Sequence, residues 1–239
     1  VKHQPIHDES EWQACIRGAT ALGIPLDRTT EELLHRYTAF IRQRSPLLHL
    51  VSPNDTGRIP TRHVLDSLLP LHLIPEKARV FDLGSGAGFP GLPISILRRD
   101  IHMTLIESNL KKSVFLREAV TLLGLDHVTV CRERAENLHT TLLHRFDIGL
   151  VRAVARLENL WKWGMPLLRP AGRLICYKGP GYEEELKTLE KKICFIEDKK
   201  RIDTANPTPQ QQTDTVSIHR FQLDPLPLST ILIELAQST

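Results

Sequence analysis

One short run, from Val80 to Gly91, limits what this chain can fold into more than any other stretch of its sequence. An apolar, β-prone segment, Val80-Phe81-Asp82-Leu83, passes directly into Gly84-Ser85-Gly86-Ala87-Gly88-Phe89-Pro90-Gly91, with glycine at alternate positions. Without a Cβ, such a loop can turn tightly and let a ligand approach its backbone. A helix beginning just beyond it would aim unpaired N–H groups at that ligand. Strand, glycine loop and helix together form the opening unit of a parallel α/β sheet, with the ligand at the carboxyl end of the strand.

The remaining sequence supplies the alternation that such a sheet needs. Apolar patterning predicts strands at 78–83, 102–106, 128–131, 146–151 and 173–177, with helices at 92–98, 110–123, 157–168 and 182–192. This succession predicts a mostly parallel sheet with helices on both faces. Two last runs, 216–223 and 230–235, flank Asp224-Pro225-Leu226-Pro227 and predict an antiparallel terminal hairpin, for seven strands in all. Residues 206–213 read as a polar loop. Ahead of the sheet, 8–22 and 29–42 are amphipathic, with Thr30 as a helix cap and Ser45-Pro46 as a stop. A turn-rich link over 52–60 leads to a third candidate helix at 61–74. The expected division is a helical extension, 1–74, packed on a core domain, 75–239.

Composition narrows the class. Hydrophobic residues at 41% and charged residues at 25% are ordinary for a globular chain and argue against global disorder. A net charge of +3, without a lysine tail or arginine-rich arm, is weak evidence about partners. The four cysteines are scattered and form no CxxC pair, which disfavours structural zinc. Cys131, Cys176 and Cys194 lie in apolar runs and read as buried thiols. Neither a secretion signal nor an apolar run of membrane length is visible, so the expectation is a cytoplasmic protein with no membrane partner.

Taken literally, Gly86, Gly88 and Gly91 fit the spacing of the dinucleotide fingerprint, which by itself is a weak signal. Two details favour a methyl donor instead. Asp82 can serve a cationic ligand, through water or directly, but would repel a pyrophosphate. Phe89-Pro90-Gly91 inserts a stiff extra turn where the fingerprint normally enters its helix; a proline there or at Pro93 is tolerated in a first helical turn. Glu107 ends the next strand, where a carboxylate can accept hydrogen bonds from two ribose hydroxyls. It supports a nucleoside without deciding which one.

Beyond the glycine loop, several blocks occur in a fixed order: Arg62-His63-Val64-Leu65-Asp66-Ser67-Leu68, Glu107-Ser108 with Lys111-Lys112 and Phe115-Leu116, Arg134-Ala135-Glu136, Arg152-Ala153-Val154-Ala155, and Leu167-Leu168 with Pro170 and Gly172, closing at Lys178-Gly179. In this order the chain resembles the bacterial 16S ribosomal RNA guanine-N7 methyltransferases, the glucose-inhibited division protein B family. The resemblance implies a Rossmann-like class I methyltransferase fold and S-adenosylmethionine as cofactor. It further implies methyl transfer to N7 of a guanine in a conserved 16S rRNA loop near the decoding centre, within a small-subunit particle; nothing in the sequence requires more than a monomer. Cofactor contacts are implied for Asp82, Gly84, Ser85, Gly86, Gly88, Phe89, Glu107, Ala135, Glu136 and Arg152, and a base or phosphate contact for Arg152; His63 and Asp66, three apart on one helical face, and Lys178, just after the fifth strand at the ligand edge, are further substrate-contact candidates. One departure stands out. Where the family usually carries Asn-Leu-Thr, this chain reads Leu48-His49-Leu50-Val51-Ser52, so the asparagine contact is missing and His49 or Ser52 is the local candidate to replace it.

Guanine N7 has a free lone pair at neutral pH, so alignment in a dry pocket suffices and no catalytic base or metal is expected. Plainer roles stand beside these. Arg152 can instead be an ion-pair partner of Asp66 or Asp82, although a ligand or RNA contact is the favoured role. His63 and Asp66 can lock their helix to the sheet. Lys111, Lys112 and Lys178 can be solvated surface, and Trp161 and Trp163 helix anchors.

Overall fold

A computed structural model of the chain describes residues 6–140, 142–152, 154–179, 181–203, 215–223 and 228–236. Helix α1, Ile6–Ala21, and α2, Arg28–Leu48, precede the sheet. The cap of α2 is Asp27, not Thr30: its carboxylate accepts the Thr30 N–H at 2.7 Å, and a carboxylate also complements the helix dipole. The helix runs past Ser45-Pro46 to Leu48. Proline in a last turn forfeits only one hydrogen bond, and His49 closes the helix in a left-handed conformation by donating its N–H to the Ser45 carbonyl.

The expected third helix is broken. A 3₁₀ turn, Pro53–Arg58, leads into a π-helical turn, Pro60–Leu65, then the short α3, Asp66–Leu68, and another 3₁₀ turn, Leu71–Leu73. Pro70, which cannot donate an N–H, falls at the break.

The sheet has the order β3-β2-β1-β4-β5-β7-β6. Strands β1 (Arg79–Leu83), β2 (His102–Ile106), β3 (Val128–Cys131), β4 (Phe146–Arg152) and β5 (Leu168–Lys178) pair in parallel. The antiparallel hairpin of β6 (Thr215–Leu223) and β7 (Leu228–Ala236) completes it through β7 on β5. Helices α4 (Gly91–Leu97), α5 (Leu110–Leu123), α6 (Leu157–Gly164) and α7 (Tyr182–Asp203) make the crossovers. The predicted fold is thus observed. The residues of the 206–213 loop, and the side chain of Cys194, lie outside the described set.

Alternation along the strands assigns side chains to two layers. Val80, Met103, Leu105, Ile148 and Leu150 join a core with α2, α4 and α5, whereas Phe81, Leu83, Ile106, Val151 and Leu174 join another with α6 and α7. The helical lobe is fastened to the first layer by the stacked rings of Phe40 and Phe115, 5.1 Å apart, and by an Arg44–Glu118 ion pair at 2.9 Å. Strand β5 starts five residues earlier than its apolar pattern suggests. Leu168 already pairs with Phe146, and the next pairing, Arg173 with Ile148, skips a bulge that holds Pro170 and Ala171, the latter at φ 63°. Cys15 and Cys176 are buried, and burial pushes both thiols up to about 12.

Candidate active site

Strand order reverses between β1 and β4, and a crevice at such a switch point is where open α/β sheets bind ligands. The glycine loop lies on its β1 side. Gly84, Gly86 and Gly88 have φ of 73°, 57° and 98°, a conformation that side-chain-bearing residues rarely adopt. The Ile106 carbonyl of β2 accepts the N–H groups of Gly84 (2.8 Å) and Ser85 (3.1 Å), so the turn is pinned to the neighbouring strand. Ser85 Oγ donates to the Asp82 carbonyl at 2.9 Å. A Cβ on Gly88 would lie 2.5 Å from Leu92 Cδ1 and 2.8 Å from Tyr37 Oη, while one on Gly86 would meet nothing nearer than the Gly84 carbonyl at 3.8 Å. One glycine therefore packs inward and the other faces open space.

Two carboxylates brace this loop. Glu107 accepts the Gly86 N–H on Oε2 at 2.9 Å and the Asn109 N–H on Oε1 at 2.7 Å. Each oxygen keeps a second lone pair for a further donor. Asp82 is wholly buried behind the loop; Oδ2 accepts the Gly91 N–H at 3.1 Å, and Oδ1 has no partner among the described residues. Burial raises this carboxyl to about 7 against the lowering pull of the Gly91 hydrogen bond and of the Arg152 charge. Tyr37, from α2, supports the loop by donating to the Ala87 carbonyl at 2.7 Å.

Beyond the loop, a cleft of about 300 Å³ is lined by Gly84, Ile106, Ala135, Glu136, Val154 and Trp163, among others. Val154 is 38% exposed and covers Gly84 so closely that a Cβ there would come within 2.5 Å of its Cγ2.

The β4 side is a side-chain cluster. Arg152 Nε approaches Asp66 Oδ2 at 3.3 Å, and its Nη2 donates to the Arg62 carbonyl (3.1 Å) and to His63 Nδ1 (3.0 Å). Since a guanidinium only donates, Nδ1 must carry a lone pair, which puts the proton of the neutral ring on Nε2. Burial, reinforced by the Arg152 charge, lowers the imidazole pKa to about 4. His63 stacks on Phe89 with centroids 5.0 Å apart, and the Arg152 guanidinium lies 5.9 Å from the same ring. Asp66 Oδ1 accepts from Thr230 Oγ1 at 2.5 Å, and Tyr177 Oη donates to the Ser67 carbonyl at 3.0 Å, so β7 and β5 both hold this turn in place.

The expected residues thus form two groups: Asp82, Gly84, Ser85, Gly86, Gly88, Glu107, Ala135 and Glu136 on the β1–β2 side, and His63, Asp66, Phe89 and Arg152 toward β4. Lys178 joins neither. Its Nζ, on a side chain 12% exposed, donates to the Ala155 carbonyl (2.8 Å) and pairs with Glu185 (2.7 Å), which turns it inward instead of toward an RNA phosphate. His49 caps α2, and Ser52 donates to Asp55 at 3.0 Å. Tyr37, Val154, Trp163 and Thr230 were not singled out as site residues by the sequence. Tyr37 looks like one more apolar position on a helix, and Thr230 is far away along the chain; neither carries a local signal. Among the described residues no group of three or more His, Cys, Asp or Glu could hold a metal, and no helix is long and apolar enough to cross a membrane.

The model of the GidB family, rRNA small subunit methyltransferase G, matches residues 30–212. Relatives bearing the name ribosomal RNA small subunit methyltransferase G include one from Streptomyces coelicolor, 43% identical over 64% of this chain and 63% of its own length. Another, from Roseiflexus castenholzii, is 42% identical over 72% of this chain and 74% of its own length. The match thus spans a little under two thirds of the Streptomyces relative. Among solved structures, an O-methyltransferase from Bacillus cereus in complex with SAH is similar in fold, with a TM-score of 0.55 at 15% identity over 95% of this chain and 99% of that one. TYW2 from M. jannaschii, in complex with AdoMet, gives a TM-score of 0.53 at 12% identity over 72% of this chain and 74% of that one.

Proposed function

This chain belongs to the GidB family, rRNA small subunit methyltransferase G, and we propose that it transfers the methyl group of S-adenosylmethionine to N7 of a guanine in 16S rRNA. The observation that carries the reading is the loop itself: three glycines held at positive φ, with an open face at Gly86, lie beside a carboxylate anchored at the end of β2. These residues fit the cofactor. Backbone at Gly86 admits close approach, Gly84 lines the cleft beneath Val154, Glu107 has lone pairs for ribose hydroxyls, and Ala135 and Glu136 line the cleft where an adenine edge can be read.

When bound, the cofactor supplies a methyl group that leaves sulfur, the C–S electron pair staying behind, as the guanine N7 lone pair makes the new N–C bond. No proton leaves N7, so this chain has only to orient the two partners and keep water out. Val154 and Trp163 provide apolar cover at the cleft, and Asp82 keeps the loop in shape from behind through Gly91. Arg152 stands at the strand end where the substrate enters. The base must be turned out of folded RNA to reach this depth. The reading includes a small-subunit particle as substrate, a single copy of the chain as enzyme, the cytoplasm as its place, and the helical segment 1–74 as an extension of a catalytic core, 75–239.

The test is labelled methyl transfer to small-subunit particles, with the modified nucleoside identified by mass spectrometry. N7-methylguanosine is expected, with Gly86→Asp inactive and Glu107→Ala needing roughly 10- to 100-fold more cofactor for half-maximal rate. Full transfer by both variants at limiting cofactor, or label at another atom, would refute the assignment.

A further inference from the structure

Three buried side-chain atoms around the glycine loop have no hydrogen-bond partner among the described residues: Asp82 Oδ1, His63 Nε2 and Arg152 Nη1. Buried polar groups are ordinarily paired, so each unpaired one calls for a reason. Asp82 lies behind the loop. The other two belong to residues in direct contact, at the end of β4 and on the π-helical turn, and both sit against Phe89. A π-helical turn is itself a frequent marker of functional sites.

Both atoms are donors. Arg152 has nothing else to offer, and its bond to His63 Nδ1 fixes the histidine as the Nε2–H tautomer. The nearest carboxylate does not satisfy that proton: Asp55 Oδ2 lies 4.0 Å away and already accepts from Ser52, while Asp55 Oδ1 is engaged by Arg62 at 2.9 Å. These two touching residues therefore leave two donors, and no acceptor of their own, unpaired. The local charges are balanced, Arg62 by Asp55 and Arg152 by Asp66, so a phosphate gains little here. A neutral acceptor beside an aromatic ring fits better.

We propose that His63 Nε2–H and Arg152 Nη1–H read the O6 carbonyl of the target guanine, so that this pair selects guanine over adenine. The inference rests on the methyl-transfer reading above. O6 is adjacent to N7 on the same base edge, so a donor on O6 holds the base and leaves the N7 lone pair uncovered. Adenine presents an amino group there, and two donors facing a third reject it. Asp66 is the positioning residue: it holds Nε of Arg152 and is itself held by Thr230.

The experiment uses small-subunit particles assembled with 16S rRNA carrying either guanine or 2,6-diaminopurine at the methylated position. The two bases share N7 and the 2-amino group; they differ in O6 against an amine and, on the other side of that carbon, in N1, which carries a proton only in guanine, so the variants decide whether a preference arises at O6. Wild-type enzyme is expected to prefer guanine by about 100-fold in kcat/KM. His63→Phe keeps the ring stacked on Phe89 and removes both nitrogens; Arg152→Lys keeps the charge and removes the fork. Each should lose rate on guanine but not on diaminopurine, shrinking the preference to a few-fold while calorimetric cofactor affinity stays within about threefold. Equal wild-type rates on both bases overturn the proposal, whatever the variants do. So does a preference kept intact in both variants, or an equal loss on both bases with a shallower salt dependence, which assigns the pair to a phosphate. Absence of transfer to guanine by the wild type strikes instead at the methyl-transfer reading.

Discussion

On the β2 side of the crevice the site is made of backbone: three glycines at positive φ, two N–H groups pinned to the Ile106 carbonyl, and a Glu107 carboxylate capped by the N–H groups of Gly86 and Asn109. On the β4 side it is made of side chains, and the partners are far apart in the chain: Arg152 and His63 are separated by 89 positions, Asp66 and Thr230 by 164. The first construction leaves an opening for a ligand at Gly86, where a Cβ would meet nothing nearer than 3.8 Å. The second discriminates, because each of its atoms has a defined donor or acceptor character. Cradle and reader therefore fail in different ways.

The sharpest way to break the cradle is Gly88→Ala. The new methyl would press on Leu92 and the Tyr37 hydroxyl in a backbone conformation unsuited to alanine, and a loss of more than about 2 kcal/mol is expected. Chemical denaturation should show it together with abolished cofactor binding; normal stability would mean that the loop yields more easily than its contacts suggest. Asp66→Ala attacks the reader. It leaves the mostly buried Arg152 guanidinium short of its carboxylate, for about 2–3 kcal/mol of stability, discounted for the partners Arg152 keeps. Cofactor affinity, which the proposed function assigns to the other wall, should barely move; a large fall in that affinity would erase the distinction between the walls.

The smallest effect is a pair of opposed pH slopes. The Asp82 carboxyl rises from its ordinary 3.8 to about 7 in the native state, which therefore holds the extra proton, and stability falls as pH rises through that window. His63 drops from 6.5 to about 4, so the unfolded chain holds the extra proton, and stability rises with pH over about 4 to 6.5. In the wild type these contributions oppose each other. Asp82→Asn should leave the rising slope and His63→Phe the falling one, measured as melting temperature between about pH 4.5 and 7. Slopes of the same sign in both variants would show that other groups dominate.

The two walls also differ in how far they can be read from residues alone. Alternate glycines after an apolar strand, followed by an acid at the end of the next strand, locate the cradle because strand, turn and helix are local events. The same holds for the five parallel strands and the hairpin. Where local rules competed, the sequence misled: Pro46 does not stop α2, Asp27 caps it in place of Thr30, and the expected 61–74 helix breaks into π, α and 3₁₀ turns. In that last stretch, periodicity sees apolar spacing but not the tie of Arg152 to the Arg62 carbonyl and His63 ring.

By itself, then, the order of residues determined the fold class, the loop that a nucleoside can approach and the acid beside it, since each follows from patterns spanning a few residues. Only the tertiary structure decided which proton His63 carries, that Lys178 turns inward to Glu185, and that Asp66 holds Arg152 while Thr230 holds Asp66. Those facts depend on groups brought together from distant strands, and the character of a buried polar atom is set by its neighbours in space.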